Sequence, residues 1–244
     1  MPDNHFDGWV AQSYDAHEAD MFEPAALDPM LDVLTELAGA GRALEFAIGT
    51  GRVALPLAAR GVDVAGIELS DAMVRQLRAK QGGDALDVAI GDMSTTRVAG
   101  RFSLVYLVFN TIMNLMTQDA QVACFENAAH HLAPGGHFVV EVMVPDLRRL
   151  HPGERVRAFA TDPTHLGFDE YDLATQAAAS HHHYLEDGAW RSFTMPFRYV
   201  WPAELDLMAR IAGLALVDRW QGWDRAPFEH ESRRHVSIWQ KPLA

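Results

Sequence analysis

Short apolar segments alternate with amphipathic ones between residues 42 and 144 of the chain. Apolar runs of about four to eight residues are typical of buried strands, whereas longer segments with one apolar face are typical of helices. The predicted strands are Arg42–Ile48, Val62–Leu69, Leu86–Ile90, Phe102–Phe109 and His137–Val144, and the predicted helices are Arg52–Arg60, Asp71–Lys80 and Gln118–Leu132. This alternation predicts an α/β protein with a doubly wound parallel sheet that helices cover on both faces.

Two helix boundaries in this region carry local signals. Ser70 precedes the second helix at the position of an N-cap, where its hydroxyl can accept from the first turn. Residues 133–136 read Ala-Pro-Gly-Gly, and we expect this segment to stop the third helix as a turn.

The pattern changes after residue 144. Residues 145–165 contain three prolines and one glycine and are predicted to form a loop. The strands predicted after it are Glu170–Gln176, Ser180–Leu185 and Trp190–Val200, with a hairpin turn at residues 186–188, and a helix at 203–213 precedes strands near Leu214–Trp220 and His235–Gln240. We therefore expect a seven-stranded sheet with an antiparallel final strand pair, and an inserted antiparallel β lid after strand five.

Charge and composition narrow the class of partner. The 244 residues include 20 Lys and Arg against 33 Asp and Glu, a formal net charge of −13. A nucleic-acid-binding protein needs a basic surface to displace counterions, so we expect a small-molecule substrate and no nucleic acid. A single cysteine, Cys124, excludes an intramolecular disulfide. Met1–His5 lacks a signal-peptide pattern and no segment reaches the roughly 20 apolar residues of a membrane span, so a cytoplasmic protein without membrane contact is expected.

The segment Leu44–Gly51 carries the strongest chemical signal. It is an apolar strand that runs into a glycine turn, with Glu45 ahead of the turn, and glycine lets the backbone approach a ligand closely. Residues 49–54 fit the G-x-G-x-x-A fingerprint of dinucleotide-binding proteins, and Glu68 follows near the expected spacing. On this motif alone, an NAD(P)-dependent oxidoreductase is predicted.

Three further features weigh against that interpretation. Residues 1–41 precede the first strand, Gly91–Met93 places an acidic residue at the end of strand three, and the chain ends in an antiparallel pair. Together with Glu45 and Glu68, they resemble the class I S-adenosylmethionine (SAM)-dependent methyltransferases, of the small-molecule, sugar N-methyltransferase-like type. That family carries acidic-x-G-x-G-x-G, an acidic residue closing strand two, and Asp plus an apolar residue after strand three. Residues 133–138 also match its turn before strand five.

The resemblance implies a Rossmann-like fold, SAM as the cofactor, and methyl transfer to O, N or C of a small molecule. It implies that Glu68 accepts hydrogen bonds from the ribose hydroxyls and Asp92 accepts one from the adenine amino group. Leu69 and Met93 would enclose the adenine ring. Each acidic residue alone could instead be a solvated edge charge or a helix cap, and their order along the chain is what favours the cofactor.

The same resemblance implies roles for the residues of the glycine turn and for Glu45 ahead of it. Glu45 is expected near the amino and sulfonium end of the cofactor, where it would offset positive charge. The backbone groups of Ala47, Gly49 and Gly51 are expected to contact the methionine part. Ala47 replaces the family's usual first glycine.

The end of strand four is where the family faces the transferable methyl. Phe109 and Asn110 stand there and are predicted to contact the cofactor, while Asn114 is a candidate catalytic residue that orients the substrate. DNA and protein-amide methyltransferases carry an N-P-P-Y-like sequence at this place, so base or amide methylation is not expected. Either asparagine could alternatively be only a cap of a strand or helix.

The N-terminal part is predicted to be helical at Trp9–Met21 and Leu27–Ala38, and too polar to be central, so it should cap the open edge of the cofactor crevice. Tyr14 lies where small-molecule members carry a tyrosine over the cofactor, and packing alone is its alternative role. His17, one helical turn further on, is a candidate catalytic base, with an ordinary surface histidine as the alternative.

Three consecutive histidines occupy residues 181–183. Adjacent side chains of a strand point to opposite faces, so the three cannot converge on one ion, and no metal site is predicted. His182 is expected to line a pocket while its neighbours face away. The late strands are rich in aromatic residues, which predicts a substrate lid or a homodimer contact.

These patterns divide the chain into four parts. They are an N-terminal helical cap at 1–41, a SAM-binding core at 42–144, a lid or substrate insertion at 145–201, and the C-terminal part of the core sheet at 202–244. The predicted function is SAM-dependent methylation of a small molecule. The alternatives left open are the oxidoreductase and a methyltransferase-like protein that binds SAM without catalysis.

Overall fold

The computed structural model describes residues 4–243, which form six α-helices and eleven β-strands. The helices are α1 (Gly8–His17), α2 (Pro24–Ala38), α3 (Ala54–Ala59), α4 (Asp71–Arg78), α5 (Gln118–His131) and α6 (Pro202–Ile211). The strands are β1 (Ala43–Phe46), β2 (Val64–Glu68), β3 (Asp87–Ile90), β4 (Phe102–Leu107), β5 (Leu132–Met143), β6 (Val156–Asp162), β7 (His165–Tyr171), β8 (Ala177–Glu186), β9 (Ala189–Arg198), β10 (Ala215–Trp220) and β11 (Arg234–Gln240). No helix within this range is long and apolar enough to cross a membrane.

The main sheet has seven strands in the order β10-β11-β5-β4-β1-β2-β3. The strands from β5 to β3 in this order are parallel, whereas β11 pairs antiparallel with both β5 and β10. All four residues of β1 are buried, as expected for a strand covered on both faces. The predicted Rossmann-like sheet with an antiparallel final pair is thus confirmed, and the carboxyl ends of β4, β1, β2 and β3 meet at one edge.

The insertion after β5 is a second, antiparallel sheet in the order β6-β7-β8-β9, which we call the lid sheet. Tyr171, Ala178 and Phe197 of this sheet are buried in one apolar cluster with Phe138 of β5. The predicted antiparallel lid is therefore present, and apolar burial fixes its base to the main sheet.

Two boundaries of the lid sheet differ from the sequence expectation. The predicted loop at 145–165 contains β6, whose residues are largely exposed, so no apolar alternation marks it before it pairs with β7. The strand predicted at Glu170–Gln176 instead ends at Tyr171. The Asp172 carboxylate accepts hydrogen bonds from the Ala174 N–H and the Thr175 hydroxyl, which fold the following residues into a turn.

Three boundaries of the core also differ. The helix predicted from Arg52 begins only at Ala54. Strand β4 ends at Leu107 rather than Phe109, because the next turn takes the chain through left-handed backbone conformations. The predicted stop at residues 133–136 lies inside β5, where the main chain of Gly135 and Gly136 hydrogen-bonds with Lys241.

The second N-terminal helix, α2, is not a cap of the crevice. Leu27, Met30, Leu31 and Leu34 are buried in one cluster with residues of β1, β2 and β4. One apolar stripe thus packs on the sheet while Asp28, Asp32 and Glu36 lie on the exposed face. The sequence prediction treated this mainly apolar segment together with the more polar one before it, and for that reason it was wrong. Only α1 lies over the edge at which the parallel strands end.

Candidate active site

A cleft of about 120 Å³ opens at the carboxyl ends of β1, β2 and β3. Its walls include the predicted residues Ala47, Gly49, Glu68, Leu69, Asp92, Met93, Tyr14 and Asn114. Parallel strands end at the same edge of a sheet, which is why residues separated by more than forty positions in the sequence converge here. We call this cavity the cofactor cleft.

The glycine turn shapes the floor of the cleft. Ala47, Gly49 and Gly51 all have positive φ, of 53°, 56° and 81°. The φ of Gly51 favours glycine there, and a Cβ would also lie close to the Leu55 side chain, at 3.0 Å. Gly51 itself does not line the cleft. Ala47 adopts the left-handed conformation at the cost of strain that a glycine would avoid.

The carboxylate of Glu68 is fixed by two backbone donors. The Gly49 N–H donates to Oε2 at 2.8 Å, and the Ser70 N–H donates to Oε1 at 2.9 Å. Burial raises the pKa of Glu68, while these backbone bonds oppose the shift. The carboxylate therefore lies in a preorganised position at the end of β2, suited to accept hydroxyl protons from a ligand.

Asp92 offers a second acceptor across the cleft. Its Oδ1 accepts from the backbone N–H and the hydroxyl of Ser94, both at 2.7 Å. Its Oδ2 has no hydrogen-bond partner among residues 4–243. Ile67, Leu69 and Met93 add apolar surface to the same cleft. Two carboxylates and apolar surface in the same cleft fit an adenosine group such as that of SAM.

Glu45 lies behind the turn rather than in the cleft. It is buried, and its Oε2 accepts from the Tyr106 hydroxyl at 2.9 Å. Burial raises the pKa of Glu45 to about 8, although Tyr106 and the charge of Arg52 oppose the shift. The expected position of Glu45 beside the cofactor is not supported by this geometry, because β1 ends one residue later and its side chain turns inward.

A second cavity of about 500 Å³ adjoins the cofactor cleft. Helix α1, the turn after β4 and one face of the lid sheet form its walls. Phe6, Tyr14, Thr111, Asn114 and Met195 line both cavities, so the two meet at these residues. We call the larger one the acceptor cavity, since a second reactant there would face the cofactor cleft.

Phe109 and Asn110 line the acceptor cavity and not the cofactor cleft, which differs from the expected contact with the cofactor. Both have positive φ, of 60° and 62°, and such a conformation turns the chain away from the direction of β4. The Asn110 Oδ1 accepts from the Met143 N–H at 2.7 Å, so its amide serves to hold the turn.

His17, the candidate base, stands in the wall of the acceptor cavity. Its Nε2 lies 3.2 Å from the Glu186 carboxylate, and its ring stacks on Tyr184 with 4.4 Å between centroids. Tyr14 also faces the cavity, and burial raises its pKa above the ordinary value. The nitrogen of His17 that faces the lid hairpin is thus already engaged.

Two carboxyl groups that the sequence did not indicate also line the acceptor cavity. Burial raises the pKa of both Glu18 and Asp169. Asp169 accepts hydrogen bonds from the hydroxyls of Ser180 and Tyr171, and no cationic side chain of the described residues lies within ion-pair distance of it. No sequence signal marked Asp169, since the lid sheet brings its strand over the cavity only in three dimensions.

The three histidines of β8 lie on alternate faces. His182 lines the acceptor cavity, whereas His181 lies 3.0 Å from the Thr194 hydroxyl and His183 lies 2.6 Å from the Ser192 hydroxyl. Among residues 4–243, no three His, Cys, Asp or Glu side chains are grouped so as to hold a metal ion.

Comparison with known proteins identifies relatives of the core. A family model described as a methyltransferase domain matches residues 43–136. The dTDP-3-amino-3,4,6-trideoxy-alpha-D-glucopyranose N,N-dimethyltransferase of Streptomyces venezuelae is 35% identical over 98 residues. That alignment covers 40% of this chain and 40% of the relative, so the chain matches about two fifths of the relative's length.

Solved structures extend the likeness to nearly the whole chain. The CcbJ methyltransferase from Streptomyces caelestis is 36% identical, with 93% of this chain and 96% of that chain covered and a TM-score of 0.80. SAM-bound CalS10, an amino pentose methyltransferase from Micromonospora echinaspora, is 20% identical with a TM-score of 0.69 over 98% and 99% of the two chains. The second likeness concerns the fold alone.

Proposed function

This chain belongs to the class I SAM-dependent methyltransferases, and from that premise we propose that it methylates an amino nitrogen of a small molecule. When bound, SAM supplies an electrophilic methyl group on a sulfonium sulfur, and displacement by a nucleophile leaves S-adenosylhomocysteine. The cofactor is already activated, so the protein contributes mainly by positioning the two reactants. The identity of the nucleophile therefore depends on the acceptor cavity.

The carboxyl group of Asp169 is the observation that carries the choice of nitrogen. It lines an aromatic cavity without a cationic partner, and none of the described residues around this cavity is Lys or Arg. Asp169 is half-buried, and the charge of Arg157 acts on it only from beyond ion-pair distance, so a cationic ligand would be attracted to it. An ammonium group of the acceptor would supply that charge, and Glu18 adds a second attraction on the α1 side.

The same charges favour an acceptor without phosphate. The similar enzyme from S. venezuelae is named for a dTDP-linked amino sugar. A diphosphate is held by arginine, lysine or exposed backbone N–H groups, and two carboxyl groups would repel it. We therefore favour an amine carried on an uncharged, ring-containing molecule that suits the aromatic walls formed by residues such as Trp9, Phe193 and Phe197.

The roles of the predicted residues follow from their places. Glu68 and Asp92 would accept from the ribose and the adenine, and Leu69 and Met93 would enclose the ring. Tyr14 and Asn114 stand where the cavities meet and would orient the attacking nitrogen. Ala47 and Gly49 bring the backbone close to the methionine part.

The proposal is tested with a panel of acceptors and purified protein. The panel contains glucosamine, phenethylamine, prolinamide, a dTDP-linked amino sugar, and the alcohol analogue of each amine. The expected result is S-adenosylhomocysteine together with an N-methyl product, detected by mass spectrometry, from phosphate-free amines. Methylation of the alcohols, preference for the dTDP sugar, or SAM binding without any product would each overturn it.

The cellular location and the partners of the protein are part of the same proposal. We place the protein in the cytoplasm, with a small-molecule acceptor and with no nucleic-acid or membrane partner. The formal net charge of −13 supports the exclusion of nucleic acid. A homodimer through the lid sheet stays open, and sedimentation equilibrium would decide it.

A further inference from the structure

The ring of His182 is held between neighbouring rings of the lid sheet. It stacks on the ring of Phe193, with 4.7 Å between centroids and 3° between planes. Its plane is also parallel to that of His165, with 5.4 Å between centroids and 5° between planes. These two rings, from the strands on either side, thus fix the plane of the imidazole.

The two nitrogens of His182 have different surroundings. Its Nδ1 lies 3.2 Å from His165 Nε2, within hydrogen-bond distance. Its Nε2 has no hydrogen-bond partner within residues 4–243, and the residue lines the acceptor cavity. One nitrogen is therefore joined to a second imidazole, and the other is free to meet a ligand.

His165 leads away from the cavity. It is the first residue of β7, is half-buried, and does not belong to the walls of the acceptor cavity. Pro163 and Thr164, which precede it, are exposed, as is Asp162 nearby. His165, which is partly exposed, thus joins His182 to the exposed turn that precedes β7.

Several charged or titratable groups surround this pair. Helix α1 contributes His17 and Glu18, and β7 contributes Asp169. Strand β6 contributes the ring of Phe159 and also Asp162, whose charge opposes the lowering of the His165 pKa. Strand β8 contributes His181, His183 and Tyr184, and β9 contributes the ring of Phe193. Burial, with the neighbouring histidines, lowers the pKa of His182 to about 4, and burial lowers the pKa of His165. Both imidazoles are hence neutral near pH 7 and can each accept a proton.

Methylation of an amine requires such an acceptor, because the ammonium form has no lone pair. A carboxylate attracts the ammonium and raises its pKa, which opposes loss of the proton. Both oxygens of Asp169, moreover, already accept hydroxyl hydrogens from Ser180 and Tyr171. A neutral imidazole with a route to solvent lacks both disadvantages.

On the basis of the proposed function, we infer that His182 is the proton acceptor for the substrate ammonium and that His165 passes this proton to solvent. The ammonium gives a proton to His182 Nε2, and the N–H bonding pair becomes the lone pair of the amine. The proton on His182 Nδ1 moves to His165 Nε2, and His165 releases its own Nδ1 proton to water. The lone pair then forms the N–C bond, while the C–S bond breaks with its electrons on sulfur.

The low basicity of His182 suits a relay. The free-energy cost of moving the proton from the ammonium to water depends only on the pKa of the amine and on the pH of the solution. It does not depend on which group carries the proton. A strongly basic relay would retain the proton, whereas His182 and His165 are neutral again after each transfer, with their hydrogens on Nε2. Proton exchange with water then returns both rings to the starting tautomers with the hydrogen on Nδ1. His182 is thus a catalytic residue, and His165 acts through it.

Substitution by phenylalanine separates the relay from the stack. His182→Phe and His165→Phe keep a ring in each position but remove the nitrogens. His183→Phe makes the same change on the opposite face of β8 and is the matched control. Each protein is assayed from pH 6 to 10 with the panel amine that the wild-type enzyme methylates, and SAM affinity is measured by calorimetry.

The expected result is a fall in kcat on the order of 10²-fold at pH 7 for both relay variants, with SAM affinity unchanged. The deficit should shrink above the pKa of the amine, where free base enters from solution, and added imidazole should restore part of the activity. His183→Phe should stay within about twofold of wild type. Relay variants as active as wild type at pH 7, or equally impaired at every pH, would overturn the relay.

A measurement without any acceptor tests the geometry on its own. In ¹⁵N-histidine NMR spectra of the wild-type protein at pH 7, His182 should be neutral, with its hydrogen on Nδ1 and a bare Nε2. A hydrogen on Nε2 or a charged ring would overturn the inference. If the wild-type enzyme methylates none of the amines, the proposed function fails and the relay falls with it. If the wild-type enzyme methylates an amine and the His182→Phe and His165→Phe variants show the same pH profile as wild type, the proposed function stands and only the relay is wrong.

Discussion

At the scale of single residues, Glu68 shows how a strand end prepares a binding group. Its two oxygens accept from the Gly49 and Ser70 N–H groups, so the carboxylate needs no reorganisation to meet a ligand. Leu69, Asp92 and Met93 lie around the same cleft. These residues could be predicted from sequence because their strand positions place them at one edge of the sheet.

Replacement of Glu68 by Gln should weaken SAM binding. The amide nitrogen cannot accept a hydrogen bond, so one hydroxyl or one backbone N–H loses its partner. The expected loss is about 1.5–3 kcal/mol, or roughly 10- to 150-fold in Kd by calorimetry. Asp87→Asn, on exposed surface at the start of β3, is the control that removes the same charge and should leave Kd unchanged. Equal affinities for wild type and Glu68→Gln would remove Glu68 from the site.

Glu45 should make the free protein less stable as the pH rises. Its pKa is raised to about 8 by burial, above the value near 4.3 of an unfolded chain. Between these values the folded protein binds more protons than the unfolded chain, so stability is greatest below the lower pKa and is lost as pH rises towards 8. The loss approaches about 1.4 kcal/mol per pH unit.

Urea unfolding of cofactor-free protein at pH 5.5, 6.5 and 7.5 measures this effect. Glu45→Gln removes the titration, so its stability relative to wild type should improve by about 1 kcal/mol per pH unit across this range. Comparing the two proteins cancels the contribution of the histidines. A difference that stays constant with pH would show that Glu45 is charged in the folded protein.

At the scale of elements, the turn after β4 is held by β5. The Glu141 Oε2 accepts from the Phe109 N–H at 3.1 Å, its Oε1 accepts from the Trp223 indole N–H at 3.0 Å, and its carbonyl accepts from the Asn110 N–H at 3.2 Å. Two successive residues with positive φ persist in this turn because β5 supplies these partners.

Glu141→Gln should loosen this turn. One of its two oxygens becomes an NH₂ group that cannot accept, and a buried N–H left without a partner costs about 1–3 kcal/mol. The free energy of unfolding should fall by that amount, and the KM for the acceptor should rise while SAM affinity is kept. Glu126→Gln, on the exposed face of α5, is the control. A stability equal to wild type would mean that the turn does not depend on Glu141.

Prediction of elements succeeded where the periodicity of a strand or helix is strong and failed where it is not. The central strands β1, β2 and β4 of the main sheet are buried on both faces, and their apolar pattern is visible without any partner. Strand β6 is largely exposed, and it forms because its backbone hydrogen-bonds with the neighbouring strand β7. Helix α2 was misplaced because its mainly apolar segment was considered together with the more polar segment that precedes it.

At the scale of the whole molecule, SAM should stabilise the fold by binding only the native state. At a concentration of 100 times Kd, the gain is about 2.7 kcal/mol, which corresponds to a rise in Tm of roughly 5–11 °C for a chain of this size. NAD at the same concentration should produce no shift. Differential scanning fluorimetry checks both, and a rise with NAD but not with SAM would contradict the assignment of the cleft.

The cofactor cleft and the acceptor cavity differ in how far the sequence alone predicts them. The sequence alone determined the cofactor cleft, because its residues follow consecutive parallel strands and topology brings strand ends together. The acceptor cavity depends on contacts between α1, the turn after β4 and the lid sheet, which are distant in sequence and leave no local pattern. Strand alternation predicted that His182 lines a pocket, but tertiary structure alone decided that Asp169 lines the same one, since only packing of the lid sheet over the core gives these side chains a common cavity.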